Sequence, residues 1–231
     1  GVDFIHVSGG NTIKRGSSMP APGTSPAPHA HSSEEIKKHV NIPVATVARI
    51  NEPWMAEELI ANEKCDMCMI GRPNLCDSEF ANKAFEGKVD DIRPCIGCGR
   101  CLTGIMMGKR ISCTVNPSVE DDTIEEATDK KKVLVIGGGP AGMEAAYVAK
   151  KRGHKVVLCE KSNELGGQLR LAAVPIAKQE LCKVIKFMIR RLDHEGVEVR
   201  LNTEVTKEML ENEFKDYEIV CSSGATPKEI P

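Results

Sequence analysis

The stretch Val133–Gly142, VLVIGGGPAG, decides the fold of the second half of the chain. Its four leading apolar residues are typical of a buried parallel strand, and the glycines after them have the spacing Gly137-x-Gly139-x-x-Gly142. This spacing allows a tight turn, close approach of a pyrophosphate, and packing of the next helix on the strand. The N-terminus of that helix presents free backbone N–H groups to the phosphates. The motif predicts a dinucleotide site, with a packing turn in an unliganded sheet as the alternative.

Residues beyond the glycine turn point to the same ligand. Lys155–Leu158 is predicted to be the next strand, and Glu160 stands just past its end. A carboxylate there accepts hydrogen bonds from an adenosine ribose and repels a 2′-phosphate, so the site suits FAD or NAD and not NADP. Gly166, Gly167 and Gln168 add a second flexible backbone segment near the same ligand.

Four cysteines lie in a short segment upstream of this turn: Cys95, Cys98, Cys101 and Cys113. Two Cys-x2-Cys steps bring thiolates together on a compact loop, as a [4Fe–4S] cluster requires, and Gly97 and Gly99 let the backbone approach closely. Tetrahedral zinc is the alternative, although it usually takes two separated Cys-x2-Cys pairs, and unligated thiols are a third possibility. An acidic stretch after these cysteines, up to Asp129, reads as a solvated linker.

The chain has ten cysteines, and the six outside this segment are predicted to be buried, small apolar residues. Cys65 and Cys68 have a redox-type spacing, but they overlap a predicted strand, on which residues three apart point to opposite faces. The others are Cys76, Cys159, Cys182 and Cys221. Thiols that stay reduced indicate a cytoplasmic protein.

Residues 1–90 alternate predicted strands with predicted helices, which is the pattern of a parallel sheet. The predicted strands are Phe4–Val7, Pro43–Val47 and Met67–Ile70. Ligands of such sheets bind at the carboxyl ends of the strands, where the chain has Ala48-Arg49 and Gly71-Arg72. This matches a phosphate site on the last two strands of a (β/α)8 barrel. The alternative is that both arginines make surface salt bridges.

Composition limits the partners. The formal net charge of -2 over 231 residues gives no electrostatic footprint for nucleic acid. No apolar run reaches the roughly 18 residues of a membrane span. We therefore expect a small-molecule substrate, no nucleic acid and no membrane, while the oligomeric state, a homo-oligomer included, stays open.

Seven segments follow one another in a characteristic order. They are Phe4–Gly10, Thr46–Asn51 (TVARIN), Met69–Cys76 (MIGRPNLC), Arg93–Cys101 (RPCIGCGRC), Cys113–Pro117 (CTVNP), Val135–Gly142 (VIGGGPAG) and Gly166–Leu169 (GGQL). Together they resemble the NADH:flavin oxidoreductase branch of the old yellow enzyme family, which includes 2,4-dienoyl-CoA and 2-enoate reductases and has trimethylamine dehydrogenase as a relative. The resemblance implies an α/β fold in three parts. These are the C-terminal part of an FMN-binding TIM barrel (1–90), an iron–sulfur segment with a linker (91–129), and a partial Rossmann-like FAD-binding domain (130–231).

The resemblance also implies which residues hold the cofactors. Ala48, Arg49, Gly71 and Arg72 would hold the FMN phosphate; Cys95, Cys98, Cys101 and Cys113 would ligate the cluster; and Gly137, Gly139, Gly142, Glu160, Gln168, Ala225 and Thr226 would contact FAD. The family's proton-donating tyrosine has no counterpart here, so the catalytic acid is unknown. Because three strands cannot close an eight-stranded barrel, the chain is expected to be an internal fragment of a larger enzyme, inactive alone.

Three functional hypotheses follow. The first is an NAD(P)H-dependent ene-reductase, in which electrons pass from FAD through the [4Fe–4S] cluster to FMN and then to the C=C bond of an enoate, dienoyl-CoA or cyclic enone. The second is an amine dehydrogenase of the trimethylamine type that passes electrons to a flavoprotein. It is favoured by the two residues, where dienoyl-CoA reductases usually have three, between Cys98 and Cys101. The third is a non-catalytic, zinc-stapled nucleotide-binding module.

Overall fold

The computed structural model describes residues 1–10, 19–119, 121 and 123–225, so the predicted FAD contact Thr226 lies outside the described residues. The chain divides into two compact units, Gly1–Asp121 and Asp122–Pro231. The division falls within the acidic stretch that the sequence marks as a linker. No helix within the described ranges is long and apolar enough to cross a membrane.

The first unit alternates strands and helices as predicted. Its elements are β1 (Ile5–Val7), α1 (Ala30–Lys37), β2 (Val44–Val47), α2 (Pro53–Ala61), β3 (Met67–Met69), α3 (Arg72–Cys76), α4 (Phe80–Phe85) and α5 (Arg100–Met106). Among the described residues the strands form one parallel sheet in the order β1-β2-β3. Parallel pairing places the carboxyl ends of β2 and β3 at the same edge of the sheet, and this positions the residues that follow them.

A small apolar cluster fixes α2 against this sheet. Ile50, Leu59 and Cys65 are buried together, and Met55 and Ile70 pack against them. Pro53 is the first residue of α2, a position where its missing N–H and fixed φ suit a helix start. The residues between β2 and α2 are therefore held close to the sheet edge.

The second unit is built around the predicted strand and glycine turn. Its elements are β4 (Lys132–Ile136), α6 (Pro140–Lys151), β5 (Lys155–Cys159), α7 (Gln168–Ala172), α8 (Glu180–His194), β6 (Glu198–Arg200), α9 (Lys207–Glu211) and β7 (Glu218–Cys221). The described strands are all parallel, in the order β6-β5-β4-β7. Leu134, Val157 and Phe214 form part of the core, in keeping with a central strand whose residues after Lys132 are all apolar.

The predictions for the six other cysteines are partly wrong. The Sγ atoms of Cys65 and Cys68 lie 3.7 Å apart, and the alternation of a strand does not apply to this pair because Cys65 precedes β3, which begins at Met67. Cys182 and Cys221 are exposed, whereas Cys76 and Cys159 are buried as predicted.

Candidate functional site

A cavity opens at the carboxyl ends of β2 and β3. Ala48, Arg49, Asn51, Gly71 and Arg72 are among its lining residues, and it holds about 660 Å³ of empty space, including the part open to solvent. We call it the strand-end cavity. The structure thus brings together all four residues that the sequence assigns to an FMN phosphate.

The backbone and charges of the strand-end cavity suit an anion. Ala48 and Arg49 have φ values of 85° and 49°, a left-handed conformation that residues other than glycine rarely adopt. Arg49 is only 7% exposed, and its Nη1 donates to the carbonyl of Ala21 at 2.8 Å. No acidic side chain is among the described residues that line the cavity. Two guanidinium groups beside a roomy, acid-free cavity are a chemically suitable setting for a phosphate.

A second cavity is lined by Cys95, Cys98, Cys101 and Cys113, and it holds about 300 Å³ of empty space, including the part open to solvent. We call it the cysteine cavity. Gly97 and Gly99 separate the first cysteines and both have positive φ, which lets the loop turn back on itself. Cys101 lies in the first turn of α5. The four predicted ligands therefore converge on one space.

At least three of these sulfurs have hydrogen-bond partners within the protein, and one of the contacts is that between Cys98 Sγ and Thr114 Oγ1 at 3.3 Å. Burial raises the pKa of the Cys95 thiol to about 11, against the opposing effects of the Gly97 backbone N–H and the Arg72 guanidinium. A hydrogen bond from the Cys76 thiol lowers the pKa of Cys113 to about 6; burial opposes it, and the backbone N–H groups of Asn116 and Val115 assist it. Backbone N–H groups directed at cysteine sulfur are typical of iron–sulfur sites.

The spacing of these thiols does not suit a single ion. Among the described residues, no three His, Cys, Asp or Glu side chains are arranged to hold one metal ion. Tetrahedral zinc needs each sulfur about 2.3 Å from the same ion. A four-iron cube is a larger body that is ligated at its corners, so its thiolates stand further apart. Four thiolates are the ligand set of a [4Fe–4S] cluster, so the residue types that line the cysteine cavity fit that group.

The two cavities share a wall. Arg72 lines both, and its Nη1 donates to the carbonyl of Gly97 at 3.3 Å and to that of Pro20 at 3.2 Å. Asn51 Nδ2 donates to the carbonyl of Cys95 at 3.2 Å. A side chain at Gly97 would begin 3.0 Å from Arg49 Nη1. Residues at the ends of β2 and β3 therefore hold the cysteine loop directly.

The glycine turn of the second unit has the predicted conformation. A Cβ at Gly137 would lie 2.5 Å from the Ser222 carbonyl oxygen, and one at Gly142 would lie 1.9 Å from the carbonyl oxygen of Gly137. By contrast, no protein atom lies within 4 Å of a Cβ built at Gly139, the residue that precedes α6. Two glycines are thus required by packing, and the third leaves room for a pyrophosphate.

Glu160 lies beside this turn, just after β5. Its Oε2 accepts from the Gly138 N–H at 2.6 Å and its Oε1 from the Ser162 N–H at 2.8 Å. Each carboxylate oxygen has a further lone pair for a ribose hydroxyl. The side chain of Gln168 donates to the carbonyl of Ala225. These two residues, both predicted to contact FAD, are therefore in contact with each other.

These contacts predict a pH-dependent contribution of Glu160 to stability. Burial raises the pKa of its carboxyl, but the backbone donors at Ser162 and Gly138 outweigh it and leave the pKa below the usual 4.5. A lowered folded-state pKa stabilises the fold above the unfolded-state value, and this contribution is lost as the pH falls through the folded-state value. Urea denaturation of the FAD-free protein should give a wild-type advantage over Glu160→Gln at neutral pH that shrinks below about pH 4.5. Glu211→Gln, at an exposed position, is the control. A stability difference between wild type and Glu160→Gln that does not change with pH would contradict the proposed contribution of Glu160.

Comparison with known proteins assigns both units. Residues 2–91 match the NADH:flavin oxidoreductase / NADH oxidase family, and residues 132–222 match FAD dependent oxidoreductases. Residues 2–91 of the chain belong to the NADH:flavin oxidoreductase / NADH oxidase family. The α/β fold and the predicted order of a flavin oxidoreductase segment followed by an FAD-type segment are confirmed.

Members of this family with similar sequences are named oxidoreductases. The NADH oxidase of Thermoanaerobacter brockii is 39% identical over 233 residues, which cover 98% of this chain and 36% of that protein. The cinnamate reductase of Clostridium sporogenes is 39% identical over 202 residues, covering 86% and 30%. The solved structure of a 2-naphthoyl-CoA reductase in complex with 2-naphthoyl-CoA has a TM-score of 0.92 and 30% identity, covering 99% and 36%.

The chain is also similar in sequence to an amine dehydrogenase. The dimethylamine dehydrogenase of Hyphomicrobium sp. is 33% identical over 161 residues, covering 64% of this chain and 22% of that protein. The chain spans about a third of the length of the NADH oxidase and the cinnamate reductase that it matches.

Sequence reasoning about this family member missed three residues beside the sites. Asn51 is 6% exposed and contacts the cysteine loop, and its Oδ1 is buried without a hydrogen-bond partner in the described part of the chain. Ser222 Oγ donates to Ile136 and Gly137 carbonyls and so supports the glycine turn. Cys76 contacts Cys113. Of the three, only Asn51 could have been found from the sequence, because a polar residue four positions after the end of a predicted strand lies near the ligand-binding edge of the sheet.

Proposed function

We propose that this protein is an NAD(P)H-dependent flavin and iron–sulfur oxidoreductase that reduces the C=C bond of an α,β-unsaturated carbonyl compound. The observation that carries the proposal is the shared wall: Arg72 borders both the strand-end cavity and the cysteine cavity. A flavin phosphate and an iron–sulfur cluster held on either side of one guanidinium would lie in neighbouring compartments of the same unit. Electron transfer between two cofactors needs such proximity.

Each site has its own residues in this proposal. The strand-end cavity holds the FMN phosphate through the backbone at Ala48 and Gly71 and the side chains of Arg49 and Arg72. The cysteine cavity holds a [4Fe–4S] cluster through Cys95, Cys98, Cys101 and Cys113. The glycine turn, Glu160, Gln168 and the segment at Ala225 and Thr226 hold FAD. When bound, these groups supply hydride transfer at the flavins and single-electron transfer between them.

The protein itself contributes binding and charge. The guanidinium groups of Arg49 and Arg72 neutralise the phosphate, and the left-handed backbone at Ala48 and Arg49 shapes the cavity for it. The N–H donors on Cys95 and Cys113 stabilise negative charge on the sulfurs. Glu160 orients the ribose of a dinucleotide without a 2′-phosphate. The acid that protonates the substrate is not assigned to any residue of this chain.

The substrate class rests on the relatives. Cinnamate reductase and 2-naphthoyl-CoA reductase are named for an enoate and an aromatic CoA thioester. Both names describe conjugated carbonyl compounds, and this supports a small-molecule enoate, enoyl thioester or enone as the substrate here. The similarity to dimethylamine dehydrogenase and the two-residue step between Cys98 and Cys101 support amine oxidation as the second candidate.

A substrate comparison tests the proposal. The intact protein, purified anaerobically, is supplied with NADH or NADPH and cinnamate, and separately with dimethylamine and an electron-accepting dye. We expect oxidation of NAD(P)H in equal amount to the saturated acid formed, and no dye reduction by the amine. Amine-driven dye reduction without turnover of cinnamate or of other enoates would support the second candidate instead.

A further inference from the structure

His29 lies in the wall of the strand-end cavity, together with Ala48, Arg49 and Arg72. It immediately precedes α1, and its side chain makes no hydrogen bond that caps this helix. Among the described residues that line the cavity, its imidazole is the one ionisable group besides the two guanidinium groups. The half-buried imidazole is therefore not used to start the helix and borders a cavity that suits an anion.

Gly9 determines where this imidazole lies. A Cβ built at Gly9 would lie 2.7 Å from His29 Cε1 and 2.8 Å from its Nδ1, well inside the contact distance of about 3.5–4.0 Å between carbon atoms. Unlike Gly10, whose φ is 93°, Gly9 does not have a positive φ, so its backbone conformation is open to other residues. Glycine is required here because the ring packs directly on it.

The sheet places this contact beside the predicted phosphate site. Ser8 and Val47 stand at the same level of the paired parallel strands β1 and β2, and both line the cavity. Gly9 and Ala48 are the next residues along the two segments. Because neighbouring strands are about 4.8 Å apart, the ring of His29 lies about one strand spacing from the backbone that is predicted to hold the phosphate.

We propose that His29 binds the phosphate of FMN in the strand-end cavity and that Gly9 positions its imidazole. This inference rests on the proposed function, since it requires FMN in this cavity. An imidazole offers an N–H donor whether it is neutral or protonated, and hydrogen bonds to a charged acceptor are stronger than those between neutral groups. His29 thus adds a third donor side chain to Arg49 and Arg72, from the β1 side of the cavity.

The test measures FMN binding to the intact protein after removal of both flavins and restoration of FAD. Quenching of FMN fluorescence gives the dissociation constant, and riboflavin, which lacks the phosphate, is titrated in parallel. We expect His29→Ala to raise the dissociation constant of FMN about tenfold and to change that of riboflavin by less than about twofold. His29→Gln keeps a donor and should recover part of the loss. His31→Ala, at an exposed position outside the described lining of the cavity, is the matched control and should bind FMN as wild type does.

A double-mutant cycle tests the role of Gly9. Gly9→Ala should displace the ring and weaken FMN binding, and adding it to His29→Ala should cause no further loss, because two residues that act through one contact are not additive. Losses that multiply in the double variant would overturn the role of Gly9.

Two results would overturn the binding role of His29 and leave the proposed function intact. They are an unchanged FMN dissociation constant in His29→Ala and an equal loss for FMN and riboflavin. A wild-type protein that binds no FMN would overturn both this inference and the FMN site of the proposed function.

Discussion

Replacing Cys98 with serine is expected to remove the iron–sulfur cluster and to stop the reduction of FMN by NADH. Cys98 is one of four thiols that line the same cavity, and it is exposed to solvent. Loss of a residue that merely orients a ligand typically costs about 10- to 100-fold in metal affinity or activity. Loss of a ligand should therefore lower the rate of FMN reduction by more than about 100-fold. Iron and sulfide analysis and anaerobic stopped-flow absorbance of the flavin measure the two effects.

The exposed Cys182→Ser is the matched control, because it also removes one thiol but lies in the second unit, far along the chain from the cavity residues. It should keep its iron content and its rate of FMN reduction. A cluster-free Cys98→Ser protein that still reduces FMN at the wild-type rate would refute the relay. Zinc without iron in the wild-type protein would favour the zinc-stapled module.

Gly142→Ala is expected to unfold the second unit or to destabilise it severely. The added methyl would begin 1.9 Å from the carbonyl oxygen of Gly137 and 2.6 Å from Ser222 Oγ. The first of these atoms belongs to the backbone of the turn, so β4 and α6 would have to separate. Overpacking typically costs about 1–3 kcal/mol of unfolding free energy, and a clash with backbone is expected at the upper end of that range or above it. Urea denaturation followed by circular dichroism measures the loss.

Gly139→Ala provides the contrast. No protein atom lies within 4 Å of a Cβ at this position, and the residue has a φ of -73°, which alanine adopts readily. Its stability should therefore stay within about 0.5 kcal/mol of wild type. The methyl would instead stand where a pyrophosphate approaches the turn, so FAD content after purification should fall at least about tenfold. A Gly139→Ala protein replete with FAD would refute this placement, and a stable Gly142→Ala protein would refute the packing argument.

Local patterns made much of this fold predictable. The unbroken apolar run of β4, the glycine spacing and Glu160 after β5 lie within about thirty residues, and each is encoded by neighbours in sequence. The strand ends at Ala48 and Gly71 were predictable for the same reason. Since parallel strands end at one edge of a sheet, the two dipeptides that follow β2 and β3 can be assigned to one site from the sequence alone.

Contacts between distant residues were not predictable. Asn51 and Cys95 lie 44 residues apart, and no periodicity links Cys76 with Cys113. The prediction for Cys65 and Cys68 failed because it applied the alternation of a strand to Cys65, which precedes the strand that begins at Met67. Such errors matter most for thiols, because a few ångströms decide whether two sulfurs are in contact.

The two side-chain hydrogen bonds to backbone carbonyls of the cysteine loop limit how small an artificial protein with this cysteine site can be. Asn51 and Arg72 donate to the carbonyls of Cys95 and Gly97, and both lie outside the segment that carries the four thiols. A synthetic peptide covering only that segment would contain all four thiols but would lack both hydrogen bonds. A miniature redox protein built from this template would need to import the two neighbouring strand termini as well.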